Sequence, residues 1–239
     1  MRTILIFGLF IFYSLSLWGA TILIDPGHGG NEYGAIAKFK FKNKIKKFTE
    51  KDLALKMALE LKKQLQGKYK VYLTRSVDRS VNLSERARYV KLTKADLFIS
   101  IHANSSKNKT NSGFETFYLN NSNDAAVKKV VNLENGQTKT TGNNNFSEED
   151  PILQHILTDL VVKKTVRYSR KLANMIHDEL AKKLKKQFKM KDRGIKPGLF
   201  YVLAMSKIPS VLLEMGFISN EAEFLKMNRN SFFKEYAKN

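Results

Sequence analysis

The 239-residue chain contains no cysteine. That absence excludes disulfides, a thiolate nucleophile and any metal held through sulfur. A metal here must be held by histidine, aspartate or glutamate. Acidic residues are few beside basic ones: 22 Asp and Glu stand against 42 Lys and Arg, giving a formal net charge of +20 and a pI near 9.9. Such a surface suits a polyanionic partner, whether nucleic acid, anionic lipid or an acidic wall polymer. No nucleic-acid recognition motif accompanies the charge. There is no Gly-x-Ser-x-Gly nucleophile elbow, no His-x-x-x-His pair on one helix and no internal repeat.

The first twenty residues stand apart from the fold. Arg2 gives a small positive start, Ile4–Trp18 is almost wholly apolar, and Gly19-Ala20 supplies small residues. This reads as a secretory signal peptide. The run is short for a membrane span, which takes roughly 20 residues, so cleavage is expected and no stable membrane anchor remains. Residues 1–20 are thus a leader and 21–239 the mature domain. An apolar fraction of 43% supports a sizeable core, and the polar loops give no second domain.

The chain is organised around Thr21–Asn31. A buried strand, Thr21–Ile24, runs into Asp25-Pro26-Gly27, where proline stops the ladder and glycine permits a turn. His28 then stands at the strand end among Gly27, Gly29 and Gly30, which suits a metal ligand that leaves room for substrate. After a lysine-rich linker, Thr49-Glu50-Lys51-Asp52 has capping-box spacing. Leu53, Met57, Leu61 and Leu65 mark one helix face, and Gly67 ends that helix. Glu50 therefore lies in a first helical turn.

Lys70–Arg75 alternates as a second strand, and Asn82–Lys94 reads as a helix with Leu83, Ala87 and Val90 inward. Asp96–His102 is a nearly continuous apolar strand, as expected for one covered on both faces. It ends in His102. Gly113–Leu119 is a fourth strand and Asn123–Leu133 a helix. Gly136–Asp150 reads as a polar loop. Ile152–Phe188 is helical, with a break expected near 163–167; His155 and His177 within it read as surface residues. Arg193–Gly198 reads as a loop, Leu199–Ala204 as a fifth strand, and Val211–Leu213 as a short buried strand ending in Glu214. Two helical segments, Asn220–Met227 and Asn230–Lys238, close the chain. Strands alternating with helices give a single α/β domain: a mostly parallel or mixed twisted sheet of five to six strands with helices on both faces.

Sites in such sheets form at the carboxyl ends of strands. His28 and His102 occupy equivalent ends, and Glu50 joins them as a candidate ligand. Two imidazoles and one carboxylate are a common catalytic zinc set with the fourth position left open. Zinc lowers the pKa of its water towards about 7 and polarises a carbonyl. Glu214, a carboxylate costly to bury alone at a strand end, would be the acid/base group. The chemistry is metal-assisted amide hydrolysis.

Several segments together resemble the zinc-dependent N-acetylmuramoyl-L-alanine amidases, in that family's order: Ile24-Asp-Pro-Gly-His28-Gly-Gly, Glu50-Lys-Asp-Leu53, Leu73-Thr-Arg75 with Asp78, Leu83 and Arg86, Ala95–Asn104, Ser112-Gly-Phe-Glu115, and Leu213-Glu214-Met-Gly-Phe-Ile-Ser-Asn220. The resemblance implies that His28, Glu50 and His102 hold zinc and that Glu214 is catalytic. The implied substrate is peptidoglycan, cut between N-acetylmuramic acid and L-alanine in septal wall splitting, with the protein secreted across the inner membrane into the periplasm. Asp124–Glu134, the polar loop and Asp150–Leu160 resemble an insertion of Gram-negative cell-division amidases, in which a helix covers the zinc until an activator protein displaces it. Residues 123–150 are expected to act so here, with Glu134 plugging the open position and Glu148 and Glu149 as rivals. No wall-targeting domain of the kind some relatives carry is expected before Thr21, and the cationic surface is expected to hold the wall instead. The glycines beside His28 are expected to keep the wall low where a bulky glycopeptide approaches. The competing functions are a catalytically silent cationic wall-binding module and another zinc peptidase acting on wall peptides.

Overall fold

A computed structural model describes residues 19–41, 43–120, 122, 124–135 and 160–238. Eight strands and seven helices lie within them: β1 Gly19–Pro26, β2 Ile36–Phe41, β3 Lys44–Thr49, α1 Glu50–Leu65, β4 Tyr69–Leu73, α2 Leu83–Thr93, β5 Leu97–Asn104, β6 Phe114–Leu119, α3 Ala125–Glu134, α4 Leu160–Phe188, β7 Asp192–Gly198, α5 Tyr201–Ser206, β8 Ser210–Phe217, α6 Glu221–Met227 and α7 Asn230–Ala237. Six strands form one sheet in the order β4-β1-β5-β8-β6-β7, and β2 and β3 form a separate ribbon. Strands β4, β1, β5 and β8 are mutually parallel; β6 runs antiparallel to β8 and parallel to β7.

The two-residue period of the strands divides the core. Ile22 and Ile24 of β1, Ile99 and Ile101 of β5, and Val211, Leu213 and Met215 of β8 face a layer built from α1, α4, α6 and α7. Leu23, Phe98 and Leu212 face the other layer, from α2, α3 and α5. The expected α/β sheet with helices on both faces is therefore present. β1 begins at Gly19, so the two small residues at the expected processing point lie in the strand.

Several local expectations fail for identifiable reasons. The lysine-rich linker is a hairpin, because Phe39 and Phe48 pack on Phe224. The capping box at Thr49 does not form: its hydroxyl donates to the Asp52 side chain and caps no backbone amide. Such a box does form at α2, where Asn82 accepts from Glu85 N–H and the Glu85 carboxylate accepts from Asn82 N–H, both at 2.9 Å. Residues 163–167 carry no break, since α4 continues through them. Arg193–Gly198 is strand rather than loop; at the sheet's edge Pro197 costs no ladder bond. Leu199–Ala204 enters the helix α5 instead of forming the expected strand, and the Leu203 and Ala204 amides both donate to Phe200 O. A short apolar run cannot distinguish strand from helix by period. His177 is buried rather than exposed, held between Thr116 Oγ1 at 3.0 Å and Asp192 Oδ1 at 2.9 Å. His155, Glu148, Glu149 and all of 136–159 lie outside the described residues.

Candidate metal centre

The turn after β1 is built on two buried arginines. Asp25 is fully enclosed and accepts from Arg86, from Thr74 Oγ1 at 2.6 Å and from Ser100 Oγ at 2.9 Å. Burial alone would raise its pKa; the Arg86 guanidinium and the Thr74 bond outweigh that and hold it below the ordinary value. Arg86 also donates to Pro26 O at 3.1 Å and His28 O at 3.0 Å. Arg75 donates to Pro26 O, Gly27 O and Lys51 O at 3.1, 2.7 and 2.9 Å. These bonds fix a tight turn in which His28 itself adopts φ 56°, a left-handed conformation that costs a non-glycine residue free energy.

The glycines serve this packing. A Cβ on Gly27 would lie 2.4 Å from the His102 ring, and one on Gly29 2.3 Å from Arg79 O. Gly34, unmarked in the sequence reading, matters as much: a Cβ there would lie 2.5 Å from both Glu50 Oε2 and the His28 ring.

His28 and His102 meet edge to face, with ring centroids 5.0 Å apart. Glu50 enters from the first turn of α1, and its carboxylate is oriented by backbone amides: Ala35 N–H donates to Oε2 at 2.8 Å and Ala103 N–H to Oε1 at 3.1 Å. Glu50 Oε1 lies 3.1 Å from His28 Nε2 and 2.9 Å from His102 Nδ1. The last residue of α3 completes the group, with Glu134 Oε2 3.2 Å from His28 Nε2 and 2.7 Å from His102 Nδ1. These four donor atoms all lie within 4.8 Å of one another.

Asn135 holds that helix end in place. Its Nδ2 donates to Leu199 O at 2.9 Å, and its Oδ1 accepts from Tyr201 N–H at 2.9 Å. Val127 and Val131 bury the inner face of α3.

The donor set fits a small divalent cation. Ligands about 2.0–2.2 Å from a tetrahedral zinc lie about 3.3 Å apart, close to the 2.7–3.2 Å between the histidine nitrogens and the carboxylate oxygens. His28 Nε2 and Glu134 Oε2 are buried with no hydrogen-bond partner of good geometry among the described residues, as expected of atoms that need another occupant. Oxygen and imidazole without sulfur suit zinc. In the protein alone the cluster is a proton trap. Burial opposes charge on His102, but Glu134 and Glu50 outweigh it and raise its pKa to about 9. Burial likewise opposes charge on His28; Glu50 and Glu134 raise its pKa well above the usual value. Glu50 and Glu134 are lowered despite burial, Glu50 chiefly by His28 and Glu134 chiefly by His102.

Glu214 stands beside the cluster without joining it. It pairs in register with His102 across β5 and β8, is fully buried, and neither carboxylate oxygen has a hydrogen-bond partner among the described residues. Burial, then the nearby Glu134, Glu50 and Glu115 carboxylates, raise its pKa well above the ordinary range. Glu115, opposite Glu214 on β6, is held by Asn104 Nδ2 at 2.8 Å, by Lys196 and by Arg193 Nε at 3.3 Å. The structure thus brings together His28, Glu50, His102 and Glu134, with Glu214 adjacent. Asp25, Gly34 and Asn135 had no assigned part. Only the Asn-Gly pair after a helical pattern, a usual helix stop, could have singled out Asn135.

Residues 22–239 match the family model for N-acetylmuramoyl-L-alanine amidase. The chain is 32% identical over 219 residues to the N-acetylmuramoyl-L-alanine amidase AmiA of Escherichia coli strain K12, covering 90% of this chain and 72% of that protein. It is 32% identical over 220 residues to AmiC of Escherichia coli O6:H1, covering 90% of this chain but about half of that protein, 50%. Among solved structures, the N-acetylmuramoyl-L-alanine amidase from Clostridium difficile 630 superposes with a TM-score of 0.64 at 28% identity, over 92% of this chain and 91% of that one. This chain belongs to the N-acetylmuramoyl-L-alanine amidase family, the hydrolases that cut the amide between N-acetylmuramic acid and L-alanine in peptidoglycan.

Proposed function

We propose that the protein is a zinc-dependent wall amidase, held inactive at rest by its own α3. His28, Glu50 and His102 hold the ion, and Glu134 occupies the position that substrate chemistry requires open. The convergence of these four donor atoms carries the reading. When bound, zinc supplies Lewis acidity and a nucleophile available near neutral pH. The protein does the rest. Glu50 is fixed by the Ala35 and Ala103 amides and so orients both imidazoles. Glu214, buried and without a hydrogen-bond partner among the described residues, takes a proton during attack on the amide carbonyl and returns it to the leaving alanine nitrogen.

Withdrawal of α3 would clear the fourth position and also remove the Glu134 charge that favours protonated Glu214. One movement would therefore admit substrate and ready the base. Residues 123–150 form the regulatory segment in this reading, and an activator protein that binds α3 is its partner. Residues 1–20 direct export, and the site of action is the periplasmic face of the wall at septa. Digestion of purified wall, followed by mass analysis, tests the reaction. Free stem peptides beside intact glycan, released only with metal, are the expected products. Cut peptides would indicate a peptidase, and activity surviving complete metal removal would sink the zinc mechanism.

A further inference from the structure

Residues 36–49 have a biased composition: six of these fourteen are lysine and none is acidic. The β2–β3 register sorts their side chains by face. One face carries Ala37, Phe39 and Phe48, which turn onto the protein, with the exposed Lys46 and Lys44 beyond them towards the tip. Ala37 is buried, and the Phe39 and Phe48 rings lie 5.1 and 4.3 Å from that of Phe224. The opposite face carries Ile36, Lys38 and Lys40 on β2, across from Thr49, Lys47 and Ile45 on β3. Ile36, Lys38, Lys40, Ile45 and Lys47 are exposed, Ile45 to 74%. Among the described residues none of these lysines forms an ion pair with a carboxylate.

Such a face costs the isolated protein stability. Lys38 sits directly opposite Lys47, and like charges so placed repel. A two-stranded ribbon has little stability to spare. An ordinary solvated face would intersperse both signs; this one concentrates positive charge, and a polyanion lying on it would relieve the repulsion.

The ribbon also starts at the metal cluster. Ile36 pairs with Thr49, the residue before Glu50, and Ala35 N–H donates to the Glu50 carboxylate. Tyr33, half exposed at the ribbon's base, has Lys47 Nζ 4.1 Å and Lys51 Nζ 4.5 Å from its ring centroid. From that rim the strands extend about 20 Å, at roughly 3.3 Å per residue.

We propose that the outer face of the β2–β3 ribbon is a docking track for the wall polymer, binding stem-peptide carboxylates next to the one being cut. The proposal rests on the wall-amidase reading. Lysine ammonium groups on flexible stems act as mobile point charges, which suits carboxylates of irregular spacing on a polymer. Ile36 and Ile45 are too few for the apolar face with which amphipathic segments enter lipid, so the polymer is favoured over a membrane surface.

The test is charge reversal at Lys38, Lys40 and Lys47 together, each to Glu, in the full chain. These side chains are exposed, so the unfolding temperature and zinc content should match the unmodified protein. Both proteins, each also carrying Glu134→Ala, are compared on purified wall and on a short soluble muramyl peptide. Co-sedimentation with wall should fall, and KM on wall should rise by about tenfold, the lower end of what a focused field contributes. Turnover of the soluble substrate should not change, and wall binding by the unmodified ribbon should weaken at high salt. Unchanged wall binding after reversal would overturn the proposal, as would lost binding to anionic lipid vesicles with wall binding intact. If neither protein released stem peptides from wall, the amidase reading would fail, while the sedimentation comparison would still decide the ribbon.

Discussion

At the scale of single residues, the cluster behaves as a contest between protons and a metal. His102 holds its proton up to about pH 9 in the metal-free protein, and His28 holds its own well above the usual range. An ion must displace them. Calorimetric zinc titration near pH 7.5, in buffers of different ionisation enthalpy, should therefore show proton release, with affinity falling as the pH is lowered. Uptake without proton release would mean that the imidazoles are already neutral. Glu214 has a separate part. Glu214→Gln keeps the shape and removes the ionisable carboxyl, so zinc content should be retained while turnover falls by about 10²–10⁴-fold; a parallel loss of zinc would make Glu214 a ligand. His28, Glu50, His102 and Glu214 were legible in the sequence because each adjoins a well-patterned apolar strand run or a helix start, although β8 continues past Glu214 to Phe217 instead of ending there. Gly34 was not, because what it avoids is a clash with Glu50 and His28, residues brought together only by folding.

At the scale of elements, α3 has two jobs that its sequence shows unequally. The helix itself is legible from Val127 and Val131, which bury against the Phe200 layer. That its last residue would reach two histidines from distant strands follows from tertiary packing alone. Asn135 fixes this reach through bonds to Leu199 O and Tyr201 N–H. Asn135→Ala should therefore loosen the end of α3 and raise basal wall hydrolysis, though less than removal of the Glu134 carboxylate. Adding it to a Glu134→Ala protein should change the rate little, because the plug is already gone. A large further increase in the double variant would show that α3 blocks the cleft by bulk rather than through Glu134. The misread elements have local causes. Residues 199–204 are short and wholly apolar, and 193–198 carry glycine, proline and basic residues suited to a loop until β6 pairs with them.

At the scale of the whole molecule, the sheet, the site at its strand ends and the cationic surface form one arrangement. The Asp25–Arg86 pair ties α2 to β1 and to the His28 turn. Asp25 has a folded pKa below the ordinary 3.8. Its stabilisation is thus fully present above that ordinary value and is lost as pH falls through the folded one. Asp25→Asn should reduce the acid dependence of the urea midpoint below about pH 4, and Asp25→Ala, which strands a buried guanidinium, should cost about 3–5 kcal/mol at neutral pH. An unchanged acid limb would place the acid sensitivity in other carboxylates. The sequence reading reached this architecture because the strand and helix periods are strong; it missed the hairpin, whose lysines hide an alternation that only Phe39 and Phe48 betray.

The central claim is that Glu134 occupies the catalytic position of a working zinc amidase. The most direct measurement compares initial rates of stem-peptide release from purified wall by the unmodified protein and by Glu134→Ala, both zinc-loaded. A clear rise is expected in the variant, abolished by chelation and restored by zinc. Equal rates would contradict autoinhibition through Glu134, and a fall in rate accompanied by loss of zinc would make Glu134 a structural ligand instead.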